Sequence, residues 1–327
     1  MAMTESTVAR SPRSLPRLDV VHRRGPILRT ARKGAIAGTY GLDLTAGCGI
    51  GCPFCHIRGG PHFPGEGRLP FDPSTSSRLV AALETREPGP QLVVLSPLSD
   101  PLPPIREVRD EALKVARILL EHGVDLVLMT RGRIPGAMIE LLATHPERAR
   151  VAVGLTTRNR ALSRATEPLA ASPSSRLAGL ARLAAAGVRV EARVEPLIPG
   201  LTDTRDNIKP LFEGLARAGV RRVVVHYLFQ HPAILVPMAA ALDPLGLSER
   251  LVDVFEGGPV FPIGSLGAVK HVPLETRRAG LARLFCWGAE HGLVVETGAT
   301  QNPDLHRRVA EPSGQPATGR IPDLVGA

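Results

Sequence analysis

Six short runs of the sequence have the composition of buried β-strands, and segments with helical periodicity lie between most of them. They begin at residues 42, 91, 124, 150, 188 and 221. Most are rich in valine and leucine and leave no polar face for water, as parallel strands covered on both sides do. Six strand–helix units with right-handed crossovers form an α/β fold, which is either an open doubly wound sheet or a whole or partial barrel. The periodicity alone fits both.

Five segments between the strands repeat their apolar residues with the helical period and are predicted to be helices. They cover residues 76–84, 105–123, 135–145, 174–187 and 204–219. Three of these segments end directly before a strand in a glycine: Gly123, Gly187 and Gly219. Because glycine accepts the left-handed conformation that closes a helix, the three glycines are predicted helix ends.

Polar residues collect where five of the predicted strands end. They are Ser96, Ser99, Asp100, Thr130, Arg131, Thr156, Thr157, Glu195, His226, Tyr227 and Gln230. In both candidate folds, the carboxyl ends of the strands form the edge at which ligands bind. The sequence therefore predicts a ligand site at this edge.

The formal net charge of +9 is concentrated at the N-terminus. Residues 1–34 hold eight basic and two acidic residues, a net +6, and few periodic apolar positions. Such a segment is expected to be a flexible basic arm or a strap over the surface, and its charge can attract nucleic acid. We expect residues 35–230 to form the core, residues 231–300 an extension packed on it, and residues 301–327 a flexible tail.

The chain is expected to be soluble, without a secretory signal or a membrane span. Its longest apolar stretch, which begins at Ala233, is broken by prolines and is too short to cross a bilayer. The four cysteines are irregularly spaced, and three lie too close together to connect distant loops. A reducing compartment, the cytoplasm, is therefore predicted.

Residues 48–55 read CGIGCPFC and contain three of the four cysteines. Clustered thiols in a reducing compartment usually bind metal. Three thiolates on a four-iron cube leave one iron without a protein ligand, and an open metal position is typical of a catalytic site. The glycines between the cysteines allow the loop to wrap closely around such a cluster.

Two other kinds of metal site are alternative interpretations of the same cysteines. Structural zinc needs four ligands, and His56 or His62 could complete the set. An electron-carrier cluster with four cysteine ligands would need Cys286. That cysteine lies in LARLFCWGA, whose leucines and phenylalanine predict an apolar helix face. A buried, inert cysteine is the expected outcome there.

The CxxxCxxC spacing, with the aromatic Phe54 before the third cysteine, resembles the signature of the radical S-adenosylmethionine (SAM) superfamily. Residues 40–230 also resemble the branch related to spore photoproduct lyase, often called DNA repair photolyase-like, in SPLSDPLPP, VDLVLMTRGR and VEPLIPGLTDT. The resemblance implies a partial (β/α)6 TIM-type barrel. It also implies a [4Fe-4S] cluster whose open iron chelates SAM. An electron from that cluster would cleave SAM to methionine and a 5′-deoxyadenosyl radical, which abstracts hydrogen from a substrate.

The resemblance further implies which residues contact the cofactors. The implied cluster ligands are Cys48, Cys52 and Cys55. The residues implied to bind the amino acid part of SAM are Ser96, Ser99 and Asp100 for its amino group and Arg131 for its carboxylate. The residues implied to bind adenosine are Thr156 or Thr157 at the ribose and Phe54, Ile198 and Gly200 at the adenine.

The chain departs from the pattern of these relatives in three places. LTAGC stands where the relatives usually have N-P-Y-R-G-C, and Asp203 replaces a glutamate after the fifth strand. Asp203 could instead cap the helix that begins near Thr204. Pro97 falls at the position of the lyase's hydrogen-donating cysteine. Since proline has no thiol, the repair reaction is in doubt, and Tyr227 becomes the candidate hydrogen donor.

We therefore expect a radical SAM enzyme that acts on an unidentified substrate, with nucleic acid favoured. A flavodoxin- or ferredoxin-type protein is the expected electron donor. Two other functions fit the cysteines: a non-catalytic iron–sulfur electron carrier or sensor, and a zinc-stabilised nucleic-acid-binding protein. The polar residues at the strand ends distinguish the enzyme from an electron carrier, because a carrier has no need of Asp100, Arg131 or Thr156.

Overall fold

The computed structural model describes residues 14–30, 38–61, 63–263, 267–298 and 302–306. The strands are β1 (Arg17–Val20), β2 (Arg29–Thr30), β3 (Thr39–Leu42), β4 (Arg68–Phe71), β5 (Leu92–Leu95), β6 (Asp125–Thr130), β7 (Ala149–Gly154), β8 (Arg189–Leu197), β9 (Arg222–Tyr227), β10 (Phe229–Gln230), β11 (Val260–Pro262), β12 (Ala268–His271) and β13 (Val294–Glu296). Eight of them form one sheet in the order β13-β9-β8-β7-β6-β5-β3-β2. A small sheet consists of β1 and β4, and another consists of β10, β12 and β11 in that order.

The order of strands in the large sheet identifies the fold. From β3 through β5, β6, β7 and β8 to β9, each strand lies parallel to the next. A doubly wound sheet would instead reverse its order at a switch point. In the part of the chain that the structure describes, the edge strands β2 and β13 do not pair with each other. The predicted partial (β/α)6 barrel is confirmed, and the barrel is open.

All six predicted strands are present, as β3 and β5–β9, but the first lies earlier than predicted. The apolar run begins at Leu42, whereas β3 ends there. Leu42 and Leu44 are both fully buried, which gives the run its strand-like composition. The backbone nevertheless leaves the large sheet after Leu42, and Thr45 forms an isolated bridge with Phe71.

The helices lie in the connections between the strands and in the C-terminal part of the chain. They are α1 (Thr75–Thr85), α2 (Arg106–Glu121), α3 (Gly136–Ala143), α4 (Arg160–Thr166), α5 (Pro173–Ala185), α6 (Arg205–Arg217), α7 (Pro232–Leu242), α8 (Leu274–Ala289) and α9 (Pro303–His306). The longer helices bury one apolar stripe; α2 buries Val108, Val115 and Leu119, each worth about 1.5–3 kcal/mol when fully buried. The residues predicted to end helices, Gly123, Gly187 and Gly219, have φ values of 72°, 78° and 80°, so this prediction is confirmed.

Residues 14–30, which belong to the basic N-terminal segment, pack on the rest of the protein. Strand β1 pairs with β4 in parallel, and β2 pairs with β3 antiparallel. Arg23 donates to the carbonyl oxygen of Asp43 over 2.7 Å, and Arg29 forms an ion pair with the Asp43 carboxylate. This stretch therefore lies as a strap over the rest of the protein, and two of its arginines, Arg23 and Arg29, bind Asp43. The rest of the segment 1–34 lies outside the described residues.

The C-terminal part adds α7, the small three-stranded sheet, α8, β13 and α9. Arg277 on α8 is fully buried and donates to Asn302 over 3.0 Å and to Asp304 over 2.9 Å, so residues 302–306 are held against α8. The remaining residues of the predicted tail 301–327 lie outside the described part. In the described residues, no helix is both long and apolar enough to span a membrane.

The prediction that Cys286 is buried was wrong. Helix α8 does have an apolar face, and Leu281 and Leu284 on it are buried. Cys286 and its neighbour Phe285 lie on the outer face and are exposed. The apolar residues around Cys286 belong to two sides of the helix, and the sequence analysis assigned them all to one.

Candidate active site

One cavity lies at the carboxyl ends of the parallel strands, where such folds bind ligands. All three clustered cysteines lie on its wall; Cys52 is buried, and Cys48 and Cys55 are half-buried. The predicted cofactor residues on the same wall are Phe54, Ser96, Ser99, Asp100 and Arg131. The fold thus brings the thiols together with side chains that follow two later strands.

The loop that carries the cysteines is shaped by its glycines and by one arginine. Gly47 and Gly51 have φ values of 79° and 74°, a region that favours glycine. A Cβ atom on Gly49 would lie 2.8 Å from the Pro103 side chain. Arg58 donates to the carbonyl oxygens of Cys52 and Gly51 over 2.8 and 3.1 Å. The protein itself therefore fixes the course of the loop around the thiols.

The chemistry of these thiols fits a metal cluster. Burial raises the pKa of Cys48, Cys52 and Cys55, because desolvation disfavours a thiolate. A cation bound to the sulfurs reverses this and deprotonates a coordinating thiol. Within the described residues, no three His, Cys, Asp or Glu side chains converge on one point where a single metal ion could bind. In a four-iron cube, each thiolate binds a different iron.

His56, one of the two histidines considered for a zinc site, lies on the cavity wall. His62, the other, lies outside the described residues.

Ser96 combines two unusual features at the end of β5. Its φ is 57°, a left-handed conformation that costs a non-glycine residue about 1–3 kcal/mol. Its hydroxyl oxygen is buried and has no hydrogen-bond partner among the described residues. A strained residue with an unused polar atom on a cavity wall is suited to bind a ligand. By contrast, the Ser99 hydroxyl donates to the Asp43 carboxylate over 3.3 Å.

Asp100 is built into the fold, and its implied role at the SAM amino group stays a prediction. Its carboxylate is buried and accepts from the Leu102 N–H (2.8 Å), the Thr130 hydroxyl (2.7 Å) and the Arg131 N–H (2.7 Å). Burial nevertheless raises the pKa of this carboxyl above its ordinary value. Asp100 therefore ties the turn after β5 to the end of β6, and any contact with a ligand would add to this role.

Arg131, at the end of β6, is held in place from two sides. Its Nε donates to Glu167 over 2.9 Å and its Nη2 to the carbonyl oxygen of Glu195 over 2.7 Å. Its guanidinium carbon lies 5.2 Å from the centre of the Phe54 ring, within the range of a cation–π contact. A Cβ atom on Gly154 would lie 2.7 Å from this arginine. The side chain is therefore fixed next to the loop that carries the thiols.

Behind Arg131 lies a buried ion pair between Glu167 and Arg176, whose side chains have no exposed surface. Burial would raise the pKa of Glu167, but Arg176 and Arg131 outweigh it and lower that pKa. Arg176 also donates to the carbonyl oxygen of Gly154 and to the Ser163 hydroxyl. Glu167 thus remains ionised between two guanidinium groups.

A second charged group lies on the wall formed by β8 and β9. Arg193 donates to the Glu195 carboxylate over 2.7 Å, and His226 Nε2 lies 3.6 Å from the same carboxylate. Burial opposes ionisation of Glu195, but Arg193, His226 and Arg131 together outweigh it and lower the pKa of the carboxyl to about 2. The cavity thus presents a permanent ion pair as well as the thiols.

Four of the predicted adenosine-binding residues do not lie on this wall. They are Thr156, Thr157, Ile198 and Gly200. Thr156 has a buried hydroxyl without a hydrogen-bond partner among the described residues, whereas the Thr157 hydroxyl accepts from the Asn159 N–H over 3.0 Å. Ile198 is buried, and Gly200 is exposed. Their contacts with adenosine stay a prediction.

Tyr227, the candidate hydrogen donor, lies on the cavity wall. Its hydroxyl donates to Asp203 over 2.8 Å, and Asp203 also accepts from the Gly200 N–H over 2.7 Å. The suggestion that Asp203 caps the next helix was wrong, because Thr204 is the N-cap residue and Asp203 is bonded elsewhere. The Tyr227 hydroxyl therefore points towards Asp203, and its role as a hydrogen donor stays a prediction.

Helix α8 covers this hydroxyl, and Gly280 makes the close approach possible. A Cβ atom on Gly280 would overlap the Tyr227 oxygen. We expect Gly280→Ala to lower the free energy of unfolding by about 1–3 kcal/mol through overpacking, although alanine is favoured over glycine in helices by about 1 kcal/mol. Urea denaturation would measure the loss.

Two comparisons test the cause of the Gly280→Ala effect. In a Tyr227→Phe background, which lacks the oxygen, Gly280→Ala should cost less. Gly179→Ala in α5 is the matched control, since its Cβ atom would meet Ile134 at an ordinary 3.6 Å. Equal losses for the two alanine variants would show that contact with Tyr227 is not the cause.

The sequence analysis missed Arg193 on the cavity wall and three residues that bond to the site, Asp43, Glu167 and Arg176. Asp43 gave a signal, because it is a charged residue within an otherwise apolar run. Glu167 and Arg176 gave none, because they lie in a polar stretch that reads as an ordinary loop and helix start.

Comparison with known proteins agrees with this geometry. The family model of the radical SAM superfamily matches residues 42–225. A radical SAM Nα-GlyT isomerase of Pseudomonas phage M6 is 27% identical over 182 residues, which are 55% of this chain and 37% of the phage protein. An uncharacterised protein of Mycobacterium tuberculosis is 26% identical over 205 residues, 58% of this chain and 59% of that protein. The chain thus matches less than two thirds of either relative.

Solved structures of spore photoproduct lyase have a similar fold. The complex with the dinucleoside spore photoproduct has a TM-score of 0.63 at 15% identity, covering 86% of this chain and 82% of the lyase. A lyase variant with bound SAM and the same dinucleoside has a TM-score of 0.65 at 15% identity, covering 85% and 81%.

The resemblance to this superfamily, found first in the cysteine spacing, is confirmed by a match over more than half of the chain. The likeness to the lyase extends to the fold. The chain belongs to the radical SAM superfamily.

Proposed function

We propose that this protein is a radical SAM enzyme whose [4Fe-4S] cluster is bound by Cys48, Cys52 and Cys55. When bound, the cluster would supply the electron that cleaves SAM reductively and yields a 5′-deoxyadenosyl radical for hydrogen abstraction. The three thiols fit this group because they lie together on one cavity wall. Cys286, the remaining cysteine, is exposed on the outer face of α8.

The residues beside the thiols can bind a zwitterionic amino acid group. Arg131 can contact a carboxylate, since a guanidinium binds carboxylates through paired hydrogen bonds. The unpartnered hydroxyl of Ser96 and the ionised Glu195 supply oxygen acceptors for an ammonium group. Phe54 offers an apolar ring beside them for the adenine.

One observation favours this proposal over an electron carrier and over a zinc protein. The thiols share their cavity with the buried polar residues Ser96 and Asp100 and with the half-buried Arg131. An electron carrier needs no ligand cavity beside its cluster, and structural zinc needs four closed ligands. A cavity next to an open metal position is the arrangement that a substrate-binding cluster requires.

We propose a nucleic acid as the substrate. The lyase with the similar fold was solved with a dinucleoside. Arg160 and Arg164 are exposed on α4, in the connection that leaves the carboxyl end of β7, and cations there could contact phosphates. A flavodoxin- or ferredoxin-type protein in a reducing cytoplasm would supply the electrons.

Anaerobic reconstitution tests the proposed activity. The protein loaded with iron and sulfide would be mixed with SAM and a reductant, and 5′-deoxyadenosine would be measured with and without an oligonucleotide. We expect cluster-dependent formation of 5′-deoxyadenosine and an increase with the oligonucleotide. A loaded protein that forms none would contradict the enzyme proposal, and an absent increase would contradict the choice of substrate.

We predict that the enzyme does not repair spore photoproduct efficiently. Pro97 lies on the cavity wall at the position that resembles the lyase's hydrogen-donating cysteine, and it has no transferable hydrogen of that kind. The reconstituted protein would be incubated with the dinucleotide lesion, and the thymine restored would be compared with the 5′-deoxyadenosine formed. Restoration over many turnovers would overturn the argument, and Cys286→Ala would then test the remaining thiol.

A further inference from the structure

We infer that Glu167 and Arg176 are positioning residues of the SAM site, through which the arginine that binds SAM is fixed relative to the loop that binds the cluster. The inference rests on the proposed function and adds two residues to it. Neither side chain lies on the cavity wall. Both would act through Arg131.

Glu167 is the link between Arg131 and the interior. One carboxylate oxygen accepts from Arg131 Nε over 2.9 Å. The other accepts from Arg176 and, over 3.3 Å, from the Ser163 hydroxyl. With both oxygens bonded and no exposed surface, the carboxylate has a fixed position. It therefore fixes the direction in which the Arg131 guanidinium can point.

The residues that follow Glu167 contact the loop that carries the cysteines. The Leu169 N–H donates to the carbonyl oxygen of Ile50 over 3.2 Å, and the Ala171 N–H donates to the carbonyl oxygen of Arg131 over 2.9 Å. Segment 167–171 thus bonds to the cluster loop, to the end of β6 and, through Glu167, to the Arg131 side chain. A shift of this segment would move the arginine relative to the thiols.

Arg176 keeps Glu167 in place and balances its charge. Removal of Arg176 would leave the buried Glu167 carboxylate with one guanidinium partner. Removal of the Glu167 charge would leave the guanidinium groups of Arg131 and Arg176 facing each other, and their repulsion would disfavour the present arrangement. The group carries a net charge of one positive unit, from two arginines and one glutamate. Because Arg131 lies against Phe54, within the cluster loop, this charge also acts on the cluster potential.

The test compares Glu167→Gln with the wild-type protein, both loaded with cluster anaerobically. We expect equal iron content and a dissociation constant for SAM raised about tenfold or more, since hydrogen bonds to charged groups are each worth more than a factor of ten. We also expect a more positive midpoint potential in an EPR-monitored titration, because loss of a negative charge favours the reduced cluster. Glu167→Asp keeps the charge but shortens the reach, so it should weaken SAM binding with little change in potential.

Arg277→Gln is the matched control for a buried arginine. Like Arg176, Arg277 is fully buried and paired with an acid, but its partner Asp304 lies in the C-terminal segment, and neither residue lines the cavity. We expect Arg277→Gln to lower the melting temperature and leave SAM binding unchanged. Unchanged SAM affinity in both Glu167 variants, or an equal loss in Arg277→Gln, would overturn the inference. A loaded wild-type protein that does not bind SAM would instead refute the proposed function on which it rests.

Discussion

A variant that lacks any one of Cys48, Cys52 and Cys55 is expected to bind almost no iron after anaerobic reconstitution, against about four irons per wild-type chain. With alanine at one position, two thiolates remain, which is too few to hold a four-iron cube. The absorbance of the cluster and the cleavage of SAM should disappear together. Iron analysis and the assay of 5′-deoxyadenosine measure both effects, which we expect to be the largest of any single substitution.

Cys286→Ala is the matched control for these variants, since it also removes one thiol. Because Cys286 is exposed on the outer face of α8, its replacement should leave iron content and SAM cleavage unchanged. Loss of the cluster in Cys286→Ala would refute three-cysteine ligation and favour an electron carrier with four cysteine ligands.

Replacement of Arg176 by alanine is expected to lower the free energy of unfolding by about 3–5 kcal/mol, the usual cost of removing one partner of a buried ion pair. Arg176 and Glu167 have no exposed side-chain surface, so water cannot solvate the carboxylate that remains. The carbonyl oxygen of Gly154 would also lose its donor. Urea denaturation of the protein, followed by circular dichroism, measures the loss.

Lys209→Ala provides the comparison with a surface ion pair. Lys209 pairs with Glu290, and both side chains are partly exposed, so the loss should stay below about 1 kcal/mol. Similar losses for the two alanine variants would mean that burial does not set the cost of breaking the Arg176 pair.

The strands of the barrel could be predicted because they are covered on both sides, whereas the barrel itself was implied by the family resemblance. Continuous apolar runs such as those of β5 and β6 have no solvated face, and they recur at the length of one strand–helix unit. The periodicity could not choose between an open sheet and a barrel, since strand order depends on contacts between distant residues. The region after residue 230 gave weaker signals: β13 has three residues, and the charged positions of α8 interrupt its apolar face.

The metal-binding role of the cysteines and the ligand site at the strand ends could be predicted, because residue types and their spacing along the chain indicate this chemistry. The placement of Thr156 and Ile198 off the cavity wall could not, since the same residues can lie on or behind a strand end. Glu167 and Arg176 were missed for a similar reason. Their function depends on being buried together, and nothing in a single sequence distinguishes a buried glutamate from a solvated one.

An open barrel leaves two strand edges with unpaired backbone groups, and such edges promote aggregation by pairing with other chains. The two edge strands of the large sheet have only two and three residues, β2 and β13. Arg222 and Glu296 place an ion pair beside the second edge. Short, charged edges of this kind make the barrel a poor template for fibrils. The barrel can therefore stay open at one side without exposing a long surface for self-association.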